Sequence, residues 1–317
     1  MSGDLQRIEV ALGEAVQSNE GFLTEIASHL VSAGGKRVRP GFTMAAAATA
    51  FTEDKPASEA AVIGGVSVEL VHLGSLYHDD VMDEAEVRRN VESVNSRWGN
   101  HRAILAGDFL LARASEMAAG LGVEVARLLA ATIGTLCEGQ LLEVQYTYNT
   151  DRTEEVYFRS IHGKTASLLA AACRIGGIVS ELPTEHVEAL TTFGTAYGTA
   201  FQLVDDVLDF VSTDEQLGKP AGHDLEEGVY TLPALIEMQS GNTELKAMLG
   251  TTIDEPTRLK ALEMVKSGTG ITETIERARG FAETAHGALS QMPASPGVTG
   301  LNAAADHLLE SVETAAG

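Results

Sequence analysis

The chain has 317 residues, enough for one large domain or two ordinary ones, and it is 44% hydrophobic but only 5% aromatic, so its core must be built mostly of Ala, Leu, Val and Ile. Its 45 Asp and Glu against 22 Lys and Arg give a net charge of −23, which argues against a nucleic-acid partner, for which a basic face is needed, and against electrostatic docking to anionic lipid. If the ligand is itself anionic, the scarce cations should be gathered where they meet it.

Helical spacing runs through residues 4–33 (Leu5, Ile8, Leu12, Val16, Phe22, Ile26, Leu30) and breaks at Gly34-Gly35. Lys36-Arg37-Val38-Arg39-Pro40 then places three cations in four residues, and Pro40 opens an Ala-rich helix that ends near Phe51. A long apolar helix is predicted from about Ser58 to Asp83, followed by a polar loop containing Arg88 and Arg89. Further helices are predicted at about 102–119 and 122–147, from Thr153 through His162-Gly163-Lys164-Thr165, and at about 185–212. Past a Gly-rich charged loop with Lys219 and Asp224, shorter helices are expected at about 231–239, 243–250, 256–267, 271–291 and 298–315. No sustained period-2 alternation reads as a strand. The expected fold is all-α, with residues 1–317 forming a single domain.

Cys137 and Cys173 each lie in apolar stretches and read as free thiols in a reducing cytosol. The N-terminal MSGDLQRIEVALGEA lacks the apolar core of a signal peptide. The run FTMAAAATAF is too short to span a bilayer, and no other run is read as reaching the required length of about 20 residues. The expectation is a cytoplasmic protein with no stable membrane insertion.

Two stretches share the pattern DDxxD: Asp79-Asp80-Val81-Met82-Asp83 and Asp205-Asp206-Val207-Leu208-Asp209. On a helix, positions i, i+1 and i+4 gather on one side, so each stretch offers three carboxylates at the end of an apolar segment. Such clusters repel unless a cation sits among them. A lone DDxxD in an acidic chain reads equally well as a solvated helix end; two copies, each ending a long apolar segment, point to divalent cations holding a phosphate-rich substrate. The spacing excludes an EF-hand, and oxygen-only ligands favour Mg²⁺ or Mn²⁺ over zinc. Lys36 and Arg39 at a helix start suit an anion, whereas Arg88 and Arg89 read either as ion-pair partners of the first cluster or as a phosphate fork. Gly163-Lys164-Thr165 is not a phosphate-binding loop of the Walker type, because its first Gly would fall at Phe158 and no strand precedes it. His72, His78, His162 and His223 have no metal-ligand spacing, and no nucleophile–base motif stands out.

In this order, GGKRVRP, ELVHLGSLYHDDVMDEAEVRR, GKTASL, FQLVDDVLDF and GKPAGHDLEEGVYTLP resemble the polyprenyl (isoprenyl diphosphate) synthase family over roughly residues 30–235. The resemblance implies a single all-α domain, a helical bundle around a deep central cavity, usually a homodimer. It implies that Asp79, Asp80, Asp83, Asp205 and Asp209 bind Mg²⁺ (or Mn²⁺) on the diphosphate of an allylic substrate, that Asp206 belongs to the same metal site and helps through contacts to the ligands or waters, and that Asp224 helps in the same way. It assigns Arg88, Lys164 and Lys219 to that diphosphate, and Lys36, Arg39, His72 and Arg89 to the diphosphate of isopentenyl diphosphate. Thr165 and Gln202 fall where the family places polar oxygens near the developing carbocation. The reaction implied is ionisation, condensation and elimination. One departure is Val229, where many members carry Lys.

Residues one and two turns before Asp79, namely Gly74, Ser75, Val71 and Ser67, are expected to set the cavity floor; all are small, and the expectation is a medium- or long-chain product. Geranylgeranyl diphosphate is the nearest alternative, since Phe109 or Leu136 from other helices can equally close the cavity. A class I terpene cyclase is disfavoured by the second DDxxD and the scarcity of aromatics, and a non-catalytic subunit by the retention of both clusters.

Overall fold

In the computed structural model, which describes residues 2–213 and 220–316, the chain is all-α apart from one two-stranded hairpin. The elements are α1 (Ser2–Ala15), α2 (Gly21–Ser32), α3 (Val38–Ala48), α4 (Glu59–Met82), β1 (Val87–Arg88), β2 (Val91–Glu92), α5 (Val94–Trp98), α6 (Asn100–Gly120), α7 (Val123–Gln145) and α8 (Glu154–Ile161). A π-helical turn, His162–Ala166, joins α8 to α9 (Ser167–Val179), and then come α10 (Thr184–Val211) and α11 (His223–Glu226). The chain closes with α12 (Leu232–Gln239), α13 (Thr243–Met248), α14 (Glu255–Lys266), α15 (Gly270–Leu289) and α16 (Pro296–Ala316).

The described residues fall into two compact units, one of residues 1–133, 168–191 and 292–301, the other of 134–167, 192–291 and 302–317. The first is built around α4. Ser58 caps it, its side chain accepting from Ala61 N–H at 3.1 Å. From there 24 residues run at about 1.5 Å each, and α4 packs against α1, α3, α5 and α6. Its residues are buried on nearly every side, as expected of a helix apolar all round. The second unit is organised by α12, which packs on α8, α13, α14 and α15. There the buried Glu237 carboxylate accepts from the backbone N–H groups of Thr269 (2.6 Å) and Gly270 (2.7 Å), capping α15 from another helix.

Small residues let these helices approach closely. A Cβ added to Gly176 of α9 would strike the Thr43 carbonyl oxygen and lie 2.8 Å from Ala46 Cβ and 3.0 Å from Ala47 N on α3. The few aromatics fill what remains: Tyr77, Tyr157 and Tyr230 are the largest fully buried side chains, and each hydroxyl is hydrogen-bonded.

Four expectations change. Residues 4–33 form two helices rather than one, because the chain turns at 17–20, where Thr24 Oγ1 accepts from Ser18 N–H at 2.8 Å. The loop after α4 contains the β1–β2 hairpin, with Arg88 opposite Val91 and with Arg89 and Asn90 both at positive φ (53° and 62°) in the turn. The helix through 153–179 is interrupted by the π turn. Finally, α4 and α7 are each long and apolar enough to cross a membrane by length and composition; 72% of the apolar stretch of α4 is buried in the fold against 22% of that of α7.

Replacing Gly176 by Ala gains helix propensity of about 1 kcal/mol but overpacks the α3–α9 contact at a cost of about 1–3 kcal/mol. The net outcome expected is a lowered thermal midpoint with an unchanged helical spectrum; a variant at least as stable as the parent would show that α9 can move away from α3 freely.

Candidate functional site

In the first unit the GGKRVRP loop folds back along α4. Gly34 and Gly35 take φ of 81° and 151°, a region glycine enters readily. Gly35 has a second reason to lack a side chain, because its Cβ would lie 2.9 Å from Arg89 Nη1. Arg89 donates to the carbonyls of Leu30 (3.2 Å) and Gly34. These bonds hold a non-glycine residue in the left-handed region, where few are found.

Glu69, on α4 and almost fully buried, is the anionic centre of this group. Arg37 donates to it at 3.0 Å and Arg89 Nη2 lies 4.0 Å away. Arg37 also binds Glu9 (2.6 Å) and the Val31 carbonyl (3.0 Å). Arg39 is drawn to Glu69 electrostatically, and its Nε is buried with no acceptor. His72 stands one turn after Glu69. Arg39 and Arg89 thus lie near enough for their charges to act on His72, while Lys36 is exposed. Arg37 and Glu69, which sequence reasoning missed, hold the group.

The first acidic stretch ends α4. Asp79 is partly exposed, Asp80 buried, and Asp83, the C-terminal cap, exposed. The hairpin returns Arg88 to this end, where its Nε donates to Asp80 Oδ1 at 2.6 Å. Asp80 Oδ2 is buried without a hydrogen-bond partner. Burial pushes the Asp80 carboxyl above its ordinary value, and Arg88 opposes that push. Among the described residues no three His, Cys, Asp or Glu side chains form a metal-binding group by themselves. The unengaged Asp80 oxygen nevertheless fits a hard divalent cation, which prefers carboxylate oxygen.

Gly74 has a different role from that expected. Its Cβ would lie 3.0 Å from the Gly107 carbonyl oxygen and 3.1 Å from Leu111 Cγ, so its smallness serves the α4–α6 contact. Ser75 is partly exposed, its hydroxyl donating to the His72 carbonyl at 2.9 Å; Val71 and Ser67 are fully buried.

In the second unit, Thr165, Gln202 and Asp206 form one hydrogen-bonded chain. Thr165 Oγ1 donates to Gln202 Oε1 at 2.7 Å, Gln202 Nε2 donates to Asp206 Oδ1 at 2.9 Å, and the buried Tyr157 hydroxyl donates to Asp206 Oδ2. Burial pushes the Asp206 carboxyl well up, these hydrogen bonds oppose the shift, and the charges of Asp224 and Asp205 reinforce it. Asp205 is exposed and Asp209 buried. The Asp209 carbonyl accepts from Gly222 N–H at 2.8 Å, so the chain is again beside the second stretch as α11, with the partly exposed Asp224, begins. Val229 is tied back to the Asp224 carbonyl at 2.8 Å. Lys219 lies outside the described residues.

Lys164, expected to hold phosphate, is ion-paired with Glu143 of α7. This is possible because α7 and the π turn touch through glycines: a Cβ on Gly163 would lie 2.7 Å from Gly139 Cα. On the same unit a cleft of about 550 Å³ is lined by Gly139, Leu142, Phe158, Arg159 and His162 and contains none of the predicted acidic residues. Tyr157, Glu143 and the buried Arg152, which donates to the Tyr230 carbonyl at 3.2 Å, carry no motif that would have marked them.

His72 yields a pH test. Loss of solvent, and then the charges of Arg39, Arg89, Arg88 and Arg37, push its pKa well below the ordinary imidazole value of about 6.5. The folded chain thus holds this proton less tightly than the unfolded chain. The stability from a neutral His72 is complete above about pH 6.5 and is lost as the pH falls below it. Urea unfolding should show the wild type losing stability more steeply between about pH 6.5 and 5 than His72→Gln; equal slopes would exonerate His72.

The family model described as Polyprenyl synthetase matches residues 20–266. The chain is 37% identical over 305 residues to a nonaprenyl diphosphate synthase of Mycobacterium tuberculosis, covering 95% of this chain and 90% of that one. It is 39% identical over 284 residues to heptaprenyl diphosphate synthase component 2 of Geobacillus stearothermophilus, covering 89% and 87%. A crystal structure of geranylgeranyl pyrophosphate synthase from Corynebacterium glutamicum, complexed with calcium and isoprenyl diphosphate, superposes with a TM-score of 0.85 at 37% identity, covering 98% of this chain and 96% of that one. With its motifs in family order and the family model spanning most of its length, the chain belongs to the polyprenyl synthetase family and is a prenyltransferase.

Proposed function

We propose that the chain condenses isopentenyl diphosphate with an allylic diphosphate and releases a medium- or long-chain polyprenyl diphosphate. The observation that carries the reading is the cation group of the first unit: in a chain of net charge −23, Arg39 and Arg89 stand around a His72 whose charge is suppressed. Glu69 offsets part of that positive charge, and a diphosphate supplies the rest.

In this reading Lys36, Arg39, His72 and Arg89 bind the diphosphate of isopentenyl diphosphate. Arg88, Lys164 and Lys219 bind the allylic diphosphate, for which Arg88 exchanges its bond to Asp80 and Lys164 its bond to Glu143. Asp79, Asp80, Asp83, Asp205 and Asp209 are the residues that would hold Mg²⁺. When bound, the metal supplies neutralising charge to the leaving diphosphate. Thr165 and Gln202 face the allylic carbon as positive charge develops there. The double bond of isopentenyl diphosphate attacks that carbon, and the departing diphosphate takes up the proton lost. The whole chain acts as one catalytic domain in the cytoplasm, in keeping with its two unpaired cysteines. Exposed apolar residues, Ile104 and Leu105 on α6 and Val123, Leu141 and Val144 on α7, favour a homodimer over insertion of α7 into a bilayer.

The names of the nonaprenyl and heptaprenyl relatives support a long product. The Corynebacterium structure favours geranylgeranyl diphosphate as the second reading. With Gly74 committed to α6, the ruler narrows to Ser75, one turn before Asp79.

Two outcomes test the proposal. Asp79→Ala and Asp205→Ala should each lower turnover by about two orders of magnitude or more while thermal unfolding stays nearly unchanged; near-normal turnover would remove the metal role. Ser75→Phe should shorten the product by one or more isoprene units, since a helical turn spans about 5.4 Å, close to one unit. Chromatography of products from labelled isopentenyl diphosphate reads this directly, and an unchanged length places the floor elsewhere.

A further inference from the structure

The direction of the Thr165–Gln202–Asp206–Tyr157 chain is set by the Gln202 amide. An amide nitrogen only donates, so the 2.9 Å bond from Gln202 Nε2 runs to Asp206 Oδ1, while the Tyr157 hydroxyl donates to Oδ2. Gln202 lies one helical turn before Asp206, and an amide held by its nitrogen must present Oε1 on its other side. That oxygen accepts from Thr165 Oγ1 at 2.7 Å. A threonine hydroxyl has one proton. Once it is committed to Gln202, Thr165 has only lone pairs to offer elsewhere.

We propose that Tyr157 and Asp206 are positioning residues, acting through Gln202 to make Thr165 present oxygen lone pairs rather than a proton to the reacting allylic carbon, and that Asp206 serves this chain instead of ligating metal. The inference rests on the reading of Thr165 as a neighbour of that carbon. Its chemical value is direct. Positive charge grows at the carbon as the C–O bond breaks, a lone pair stabilises it, and a hydroxyl dipole turned the other way opposes it. A free hydroxyl in water turns as readily one way as the other; this one is held from behind. The holding is rigid, because the Tyr157 ring is buried and carries the Arg152 guanidinium 5.5 Å from its centre. Arg152 is itself fixed by the Tyr230 carbonyl at 3.2 Å and by the Ser160 hydroxyl. Both Asp206 oxygens are already engaged, so a metal ion would have to compete with this chain for them.

The test is steady-state kinetics on the full chain with Mg²⁺, comparing Thr165→Val, Tyr157→Phe, their double variant and Asp206→Asn. Thr165→Val is expected to lower kcat about tenfold, and Tyr157→Phe to do the same. The KM for both diphosphates and the Mg²⁺ concentration at half-maximal rate should stay within about twofold, because ground-state binding is untouched. The double variant should be no slower than Thr165→Val alone, since the two act through one chain. If Thr165→Val leaves kcat unchanged, the placement of Thr165 beside the carbon is wrong. If Thr165→Val slows the reaction and Tyr157→Phe does not, or if their effects add, the positioning role is wrong. Asp206→Asn is expected to lower kcat at an unchanged Mg²⁺ midpoint; a midpoint raised more than about tenfold, with the rate restored at high Mg²⁺, makes Asp206 a metal ligand and overturns the proposal. Thermal unfolding checks that each variant folds, and should Tyr157→Phe not fold, the Mg²⁺ titration of Asp206→Asn decides.

Discussion

A carboxylate buried among apolar helices must find a partner, and much of the irregular structure in this chain exists to deliver one. Taking an ion of this size out of water costs several kcal/mol even after relaxation. Four acidic side chains meet that cost in different ways. Glu69 is held by Arg37, which the GGKRVRP loop delivers. Asp80 is held by Arg88, which the hairpin returns. Asp206 receives a phenol and an amide, and Glu237 receives two backbone N–H groups at a helix start. Removing one partner from such a group leaves an uncompensated charge, so each loop is tied to the helix it serves.

The same constraint separates structural from exchangeable cations. Arg37 is buried and held by two glutamates and a carbonyl, which leaves it little freedom. Arg88, paired with Asp80, and Lys164, paired with Glu143, are each about one-third exposed, so an incoming diphosphate can compete for them. Proximity in sequence gives no hint of this division, although Arg37 and Arg39 stand two residues apart.

What was legible in the sequence was local. Apolar spacing marked most helices, because a 3.6-residue period is carried by neighbours in the chain, and the two DDxxD stretches stood out for the same reason. What was hidden depends on distant partners or on very short elements. Strands of two residues show no alternation, and the Arg89-Asn90 turn lacks the Gly that usually announces such a hairpin. In the sequence Glu69 is one polar residue on an apolar helix and Tyr157 an aromatic on a short one; their partners, Arg37 and Asp206, are supplied only by folding. Gly74 was misread because its smallness answers to Gly107 and Leu111 on α6 rather than to a substrate.

The π turn at His162–Ala166 makes the site depend on residue count as well as residue identity. In it Ser167 N–H reaches the His162 carbonyl, one residue further than in an α-helix, and the Ser167 hydroxyl satisfies the Gly163 carbonyl at 2.7 Å. One residue of an α-helix subtends about 100°. Deleting His162 would leave the GKTASL motif intact, yet it would swing Lys164 and Thr165 by about that angle relative to Tyr157. Indels in residues 162–166 should therefore be far less tolerated in evolution than substitutions of equal number along the exposed face of α8.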